Sequence, residues 1–106
     1  MRQELTDRVE RIEALEQKFG IRFEALYAVF ETNEYDTSLT VNFDVTGGAL
    51  EEAVDVVVGA YNERGQLVAT GSHYLNNDSF VGLDSASVDV DCETPPTRIR
   101  IYPKPF

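Results

Sequence analysis

The spacing of apolar residues changes about twenty residues into the chain. Up to that point apolar residues recur at intervals of three and four, and they are Leu5, Val9, Ile12, Leu15 and Phe19. This spacing predicts an amphipathic helix over residues 1–19, which Gly20 is placed to end. Because so short a helix is marginal alone in water, its apolar stripe is expected to dock on the rest of the chain or on a second copy.

From residue 21 onward the apolar residues alternate with polar ones, as they do in β-strands. In residues 21–31 one face is apolar throughout and both faces are apolar from Leu26 onward. This pattern predicts a strand that is covered on both sides, with Leu26 and Phe30 meeting the helix. A helix over residues 22–30 is the alternative interpretation.

The rest of the chain reads as a series of short strands at intervals near ten residues. The predicted strands cover residues 38–46, 53–61, 66–75, 80–91 and 97–102. Asn62 to Gly65 is typical of a type I turn followed by a left-handed glycine. These elements predict an all-β fold, an antiparallel sandwich of the immunoglobulin or fibronectin type III kind with about seven strands. The helix would occupy residues 1–19 and the sandwich domain residues 21–106.

The closing stretch SVDVDCETPPTRIRIYPKPF, residues 87–106, pairs acids with arginines. A hairpin across the two prolines would place Asp91 opposite Arg98 and Asp89 opposite Arg100. Cross-strand pairs of opposite charge help to fix the register of a sheet. The stretch is therefore predicted to be the last hairpin of the fold, with Tyr102 exposed beside Arg100.

The stretch VVVGAYNERGQLVATGSHYL, together with Phe80 and the later RIRIYPKP, resembles small prokaryotic immunoglobulin-like domains of the FxLYD kind. The resemblance covers residues 54–103. Where that motif has Phe, Leu and Asp, this chain has Val58, Ala60 and Asn62. The resemblance implies a sandwich and carries over no catalytic residue.

The net charge of the chain argues against some classes of binding partner. The 106 residues include nineteen acids and nine bases, for a formal net charge of -10, and the only lysines are Lys18 and Lys104. Nucleic acid and anionic membranes are therefore disfavoured as partners. An ordinary acidic domain and one adapted to high salt both fit this surface. No stretch is apolar enough for a leader or a membrane helix, so a cytoplasmic location is expected.

No constellation of side chains predicts catalysis, a cofactor site or a metal site. Ser72 and His73 are adjacent in a strand and so point to opposite faces. The four acids Asp84, Asp89, Asp91 and Glu93 lack the glycine-centred loop of a calcium site. Carboxylates near Cys92, the single cysteine, raise the pKa of its thiol and disfavour reactivity.

The expected function is therefore that of a non-enzymatic interaction module, which binds a protein partner or itself. A homodimer is predicted, in which the helix either completes its own fold or pairs between subunits, and the recurrence of Leu5, Ile12 and Phe19 every seven residues suits pairing of two helices. The predicted interaction surface is Leu5, Ile12, Phe19, Leu26, Phe30 and Tyr102. Tyr61, Tyr74 and Tyr102 would either serve ordinary sheet packing or line an exposed binding face, and the alternative function is binding of a small ligand or carbohydrate.

Overall fold

The computed structural model describes residues 2–106, which form two four-stranded sheets. The elements are β1 (Arg2–Glu4), a 3-10 turn (Thr6–Arg8), β2 (Val9–Arg11), α1 (Glu13–Phe19), β3 (Ile21–Thr32), β4 (Thr37–Gly47), β5 (Val54–Tyr61), β6 (Leu67–Leu75), β7 (Leu83–Asp91) and β8 (Arg98–Pro105). The first sheet has the order β1-β3-β4-β7 and the second β2-β8-β5-β6. Among the strands of the described residues, only β2 and β8 pair in parallel. The predicted β-rich, sandwich-like architecture is confirmed, with eight strands in the described residues.

One hydrophobic core is built from the inward side chains of both sheets. Phe23 and Phe43 of the first sheet meet edge to face, with ring centroids 5.6 Å apart. From the second sheet, Val56 and Val58 of β5 are completely buried. β5, which is rich in valine, is thus at the centre of the fold, as expected for a strand with neighbours on both sides.

A β-bulge in β3 explains why this strand is apolar on both faces. The register with β4 shifts between Glu24 and Tyr27, and Ala25 adopts a left-handed φ of 53°. An extra residue reverses the alternation of side chains, so Phe23 before the bulge and Phe30 after it both lie in the core. The helical alternative for this segment is wrong. Phe30 contributes to the core between the sheets and is not a docking residue for a helix on the surface.

The predicted helix over residues 1–19 is wrong for residues 2–12, and residue 1 lies outside the described part of the chain. Residues 2–4 form the edge strand β1 of the first sheet, and residues 9–11 form the edge strand β2 of the second. Between them Leu5 enters the core, where it is 1% exposed, and its N–H donates to the Ala28 carbonyl at 2.8 Å. A segment that crosses from one sheet to the other places apolar residues three or four positions apart, which imitates a helical period. Residues 2–11 therefore belong to both sheets and are not a separate unit.

The predicted stripe of Leu5, Ile12 and Phe19 along which a second helix would pack does not form. Leu5 is in the core, Ile12 precedes α1 and is half-buried, and Phe19 is half-buried against the core of its own chain. α1 is only seven residues long. No continuous stripe of these three residues is available to a second copy.

α1 is anchored to its own sandwich by a buried carboxylate. Glu16, 2% exposed, accepts hydrogen bonds from the Phe23 N–H at 2.9 Å and from Arg11 Nη2 at 2.8 Å. The pKa of Arg11 is raised, chiefly by its hydrogen bond with Glu16. Because a buried charge is costly without partners, these contacts fix where the helix lies.

The predicted last hairpin does not form, because β7 and β8 belong to different sheets. β7 pairs with β4, and Asp89 accepts a hydrogen bond from Thr40 Oγ1 at 2.7 Å. Arg98 and Arg100 instead share Glu10 of β2, at 3.0 and 3.5 Å. The residues around the two prolines carry the chain across the sandwich, since proline cannot donate to a strand ladder.

On the side opposite the N-terminal segment, the two sheets meet at Gly71 of β6. A Cβ placed there would lie 2.7 Å from the Asp89 carbonyl oxygen and 2.8 Å from Val88 Cγ1. Only glycine allows this approach of β6 to β7, which closes that side of the core.

We expect Gly71→Ala to lower the free energy of unfolding by about 1–3 kcal/mol, because the added methyl group overlaps a backbone oxygen that cannot move cheaply. Gly48→Ala is the control, since no atom lies within 4 Å of a Cβ at that position. Urea denaturation of both variants measures the difference. Equal stability of the two would show that β6 and β7 are not in close contact.

We expect Leu5→Ala to lower the free energy of unfolding by about 2–5 kcal/mol, because it leaves a cavity between the sheets. Leu15→Ala, the same change at a half-buried position of α1, should cost roughly 1 kcal/mol or less. Urea denaturation again measures both. Similar losses would favour the continuous amphipathic helix over the observed strands.

Candidate interaction surface

The outer face of the second sheet brings the three predicted tyrosines together. In the pairing of β5 with its neighbours, Tyr102 lies opposite Val57 and Tyr74 opposite Asp55. Val57, Asp55 and Tyr61 alternate with core residues of β5, so all three tyrosines point away from the core. We call this surface the tyrosine face. Its outward residues are Glu10, Asp55, Val57, Gly59, Tyr61, Leu67, Thr70, Ser72, Tyr74, Arg98, Arg100, Tyr102 and Lys104.

Gly59 gives the tyrosine face a flat floor at its centre. A Cβ at this position would lie 3.0 Å from Leu67 Cδ1 and 3.3 Å from Tyr61 Cε1, so both side chains rest on the glycine backbone. The guanidinium carbon of Arg100 lies 4.9 Å from the centroid of the Tyr61 ring. Stacking of a guanidinium on an aromatic ring is attractive and orients both groups.

Glu10 holds the arginines in place from the neighbouring strand. Its two carboxylate oxygens meet Arg98 Nε at 3.0 Å and Arg100 Nε at 3.5 Å. The pKa of Arg100 is raised, first by its hydrogen bond with the Tyr61 side chain and, against a lowering by burial, by Glu10. The arrangement fixes the direction of two flexible side chains before any partner binds, which reduces the entropy lost on binding.

Several residues of the tyrosine face expose apolar groups to solvent. Tyr74 is 46% exposed and packs edge to face on Phe106, with centroids 4.5 Å apart, and Leu67 is 53% exposed. Aromatic side chains and arginine are enriched at protein interfaces. The face therefore has the side chains of a recognition surface.

The outer face of the first sheet has a different character. Its strands β4 and β7 carry outward Ser, Thr, Asn and Asp side chains, some of which bond to each other across the two strands. Thr40 Oγ1 donates to Asp89, and Ser85 Oγ donates to Asp44, both at 2.7 Å. Such a ladder is typical of a sheet face that remains in contact with water.

Of the six residues predicted from the sequence as an interaction surface, Tyr102 lies on the tyrosine face. Leu5 and Phe30 are core residues, and Leu26 and Phe19 are half-buried against the core. Ile12 is half-buried at the start of α1. The structure thus does not bring the six together.

His73 has a partner that the sequence did not indicate. Its Nε2 lies 3.0 Å from Asp84 Oδ2, which joins the edge strands β6 and β7. Ser72 is exposed on the opposite face of β6, as its neighbouring position requires. An Asp–His pair resembles two members of a catalytic triad, but no described residue bonds to the other ring nitrogen of His73.

Cys92 and the acids of β7 form no metal site in the described part of the chain, where no group of three or more His, Cys, Asp or Glu side chains could hold an ion. Cys92 is buried. Burial, and then the charge of Asp91, raise the pKa of its thiol. The thiolate, which is the reactive form, is thereby disfavoured, in the direction expected from the sequence.

One open pocket lies at the end of the β6–β7 side. Its volume is about 360 Å³, and its lining includes Tyr74, Phe80, Leu83 and Asp84. Two aromatic rings, an aliphatic group and a carboxylate thus surround a space within the range of small-ligand sites.

Compared with known proteins, the chain matches no family model, no curated protein and no solved structure at a significant level. Within residues 2–106, no helix has the length and apolar character needed to span a membrane.

Proposed function

We propose that the chain is a non-enzymatic interaction module that binds a protein partner through the tyrosine face. The observation that carries this proposal is the stacking of Arg100 on Tyr61 above Gly59, with Tyr74 and Tyr102 on the same face. Tyrosine and arginine are the side chains that contribute most often to binding hot spots. Here Glu10 orients the arginine in advance.

Local charge supports a protein partner for this surface. The chain has a formal net charge of -10, but Arg98, Arg100 and Lys104 all project from β8 onto the tyrosine face. Glu10 and Asp55 are the acids among its outward residues. The tyrosine face therefore lacks the net negative charge of the whole chain. It can approach negatively charged protein surfaces that the rest of the chain repels.

The strand order supports an immunoglobulin-like type of sandwich. In that fold, strands A, B and E are neighbours in one sheet and strands C, F and G in the other. The orders β3-β4-β7 and β5-β8-β2 correspond to these sets if β2 takes the place of the last strand. We infer an immunoglobulin-like sandwich in which an N-terminal strand, parallel to its neighbour, replaces the usual C-terminal one. This assignment agrees with the resemblance to FxLYD domains.

The open pocket favours a second candidate function, binding of a small ligand or carbohydrate. Tyr74 and Phe80 offer rings on which an apolar or sugar face can stack, and Asp84 offers hydrogen-bond acceptors. Binding on a glycan array that is lost in Phe80→Ala, and retained in Tyr102→Ala, would select this function.

For the protein-binding function, we expect Tyr102→Ala to weaken the captured complex by about 2 kcal/mol, or roughly thirtyfold, because truncation of a hot-spot tyrosine costs this much. Native capture from the source cell, followed by titration of the purified partner, measures the change. Asn42→Ala, at an exposed position on the outer face of the first sheet, is the control and should bind like the original protein. Thermal unfolding must show both variants folded. A partner that binds both variants equally would exclude the tyrosine face.

A further inference from the structure

β6 is an edge strand without charge. Residues 65–77, which include the whole of it, contain no Asp, Glu, Lys or Arg and form the longest such run in a chain that is 26% charged. In the second sheet β6 pairs only with β5, so its other edge has no neighbouring strand among the described residues. The backbone groups along that edge are therefore open to another strand.

The other three edge strands carry the features that prevent strands from pairing between molecules. β1 and β2 are three residues long, and each contains charged side chains. β7 carries Asp84, Asp89 and Asp91. Short length and charge are the usual protections of a sheet edge. β6 is nine residues long and has neither of them.

Both ends of β6 also present apolar side chains to solvent. Leu67 and Val68 at its start are 53% and 54% exposed, and Tyr74 near its end is 46% exposed. Thr70 and Ser72 between them are exposed and small. Gly71, at the centre of the strand, is the point where β6 rests on β7.

We propose that β6 pairs antiparallel with β6 of a second copy, so that the two second sheets become one eight-stranded sheet. Two-fold symmetry with Gly71 facing Gly71 brings Tyr74 opposite Val68 at both ends of the new ladder. Pairs of an aromatic and a β-branched side chain stabilise antiparallel strands. The contact is isologous and closes, as expected of a dimer and not of a fibre.

Charge selects a second copy as the occupant. Two chains of formal net charge -10 repel each other, and they can approach most closely where the contacting strands carry no acid. Two paired β6 strands meet that condition, and Asp84 of the adjacent β7 is bonded to His73 at 3.0 Å. A charged peptide would find no complementary side chain on β6. The pairing goes beyond the proposed function and does not depend on it, although it would place two tyrosine faces side by side.

The first test is sedimentation velocity of the full chain over a range of concentrations. We expect a dimer of twice 11.9 kDa for the original protein. Ser72→Glu, which places like charges next to each other at the contact, should raise the dissociation constant at least tenfold. Asn42→Glu adds the same charge at an exposed position of β4, which belongs to the first sheet and is not an edge strand, and should leave the dimer intact. A monomer at all concentrations, or equal effects of both substitutions, would overturn the proposal.

The second test measures distances between spin labels in the dimer, with Cys92→Ala as the background. Labels at Thr70→Cys on β6 should lie close together, since neighbouring strands are about 4.8 Å apart. Labels at Glu10→Cys on β2 should lie about 34 Å apart, because seven strand spacings separate the outer strands of the joined sheet. A shorter distance between the β2 labels than between the β6 labels would overturn pairing through β6.

These outcomes separate the two proposals. A monomeric protein whose partner binding is lost in Tyr102→Ala would overturn the β6 pairing and keep the proposed function. A dimer that is lost in Ser72→Glu, with partner binding unaffected by Tyr102→Ala, would do the reverse.

Discussion

The insertion of Leu5 between the sheets is the contact on which the rest of the structure depends. The residues on either side of it supply one edge strand to each sheet, so a single segment seals one side of the core. The same segment contacts the connection between β7 and β8, since Arg8 Nη1 donates to the Pro96 carbonyl at 2.9 Å. It also places the Glu10 carboxylate within salt-bridge distance of Arg98 and Arg100. Closure of the core and orientation of the tyrosine face are thus consequences of one strand crossing.

Strands and turns could be predicted from the sequence because their signals are local. Alternation located β4, a continuous valine-rich run located β5, and Asn62 with Gly65 predicted the turn that the structure shows, with Gly65 at a φ of 76°. The features that were missed depend on contacts distant in sequence. Nothing near Glu10 indicates that its partners lie ninety residues away. The bulge at Ala25 gave no signal either, since alanine is not a residue that favours a left-handed conformation.

Of the six residues predicted as an interaction surface, Tyr102 alone lies on the tyrosine face, because the other five were chosen as the stripe or the docking site of a helix over residues 1–19 that does not form as predicted. Tyr61, Tyr74 and Tyr102 share a face once the pairing of β5 with β6 and β8 is known, and alternation alone allowed that outcome. The informative signal was glycine inside a strand, which often marks a close approach. Gly59 accommodates the Tyr61 ring, and Gly71 accommodates β7. The pair of His73 and Asp84 had no such signal, because the two residues lie on strands of different sheets.

Closure on both sides limits where this chain can bind anything. Leu5 blocks access to the core at one side and the contact of Gly71 with β7 blocks it at the other, so the inner faces of the sheets are not available. On the outer face of the first sheet, polar side chains of β4 and β7 are already hydrogen-bonded to each other. In a chain of formal net charge -10, association is easiest where the local charge is not negative. The tyrosine face meets this condition through its arginines, and β6 meets it through the absence of any charged side chain. Both surfaces include residues of β6. Pairing of β6 with a second copy would therefore join two tyrosine faces into one larger surface and would leave Arg98 and Arg100 uncovered.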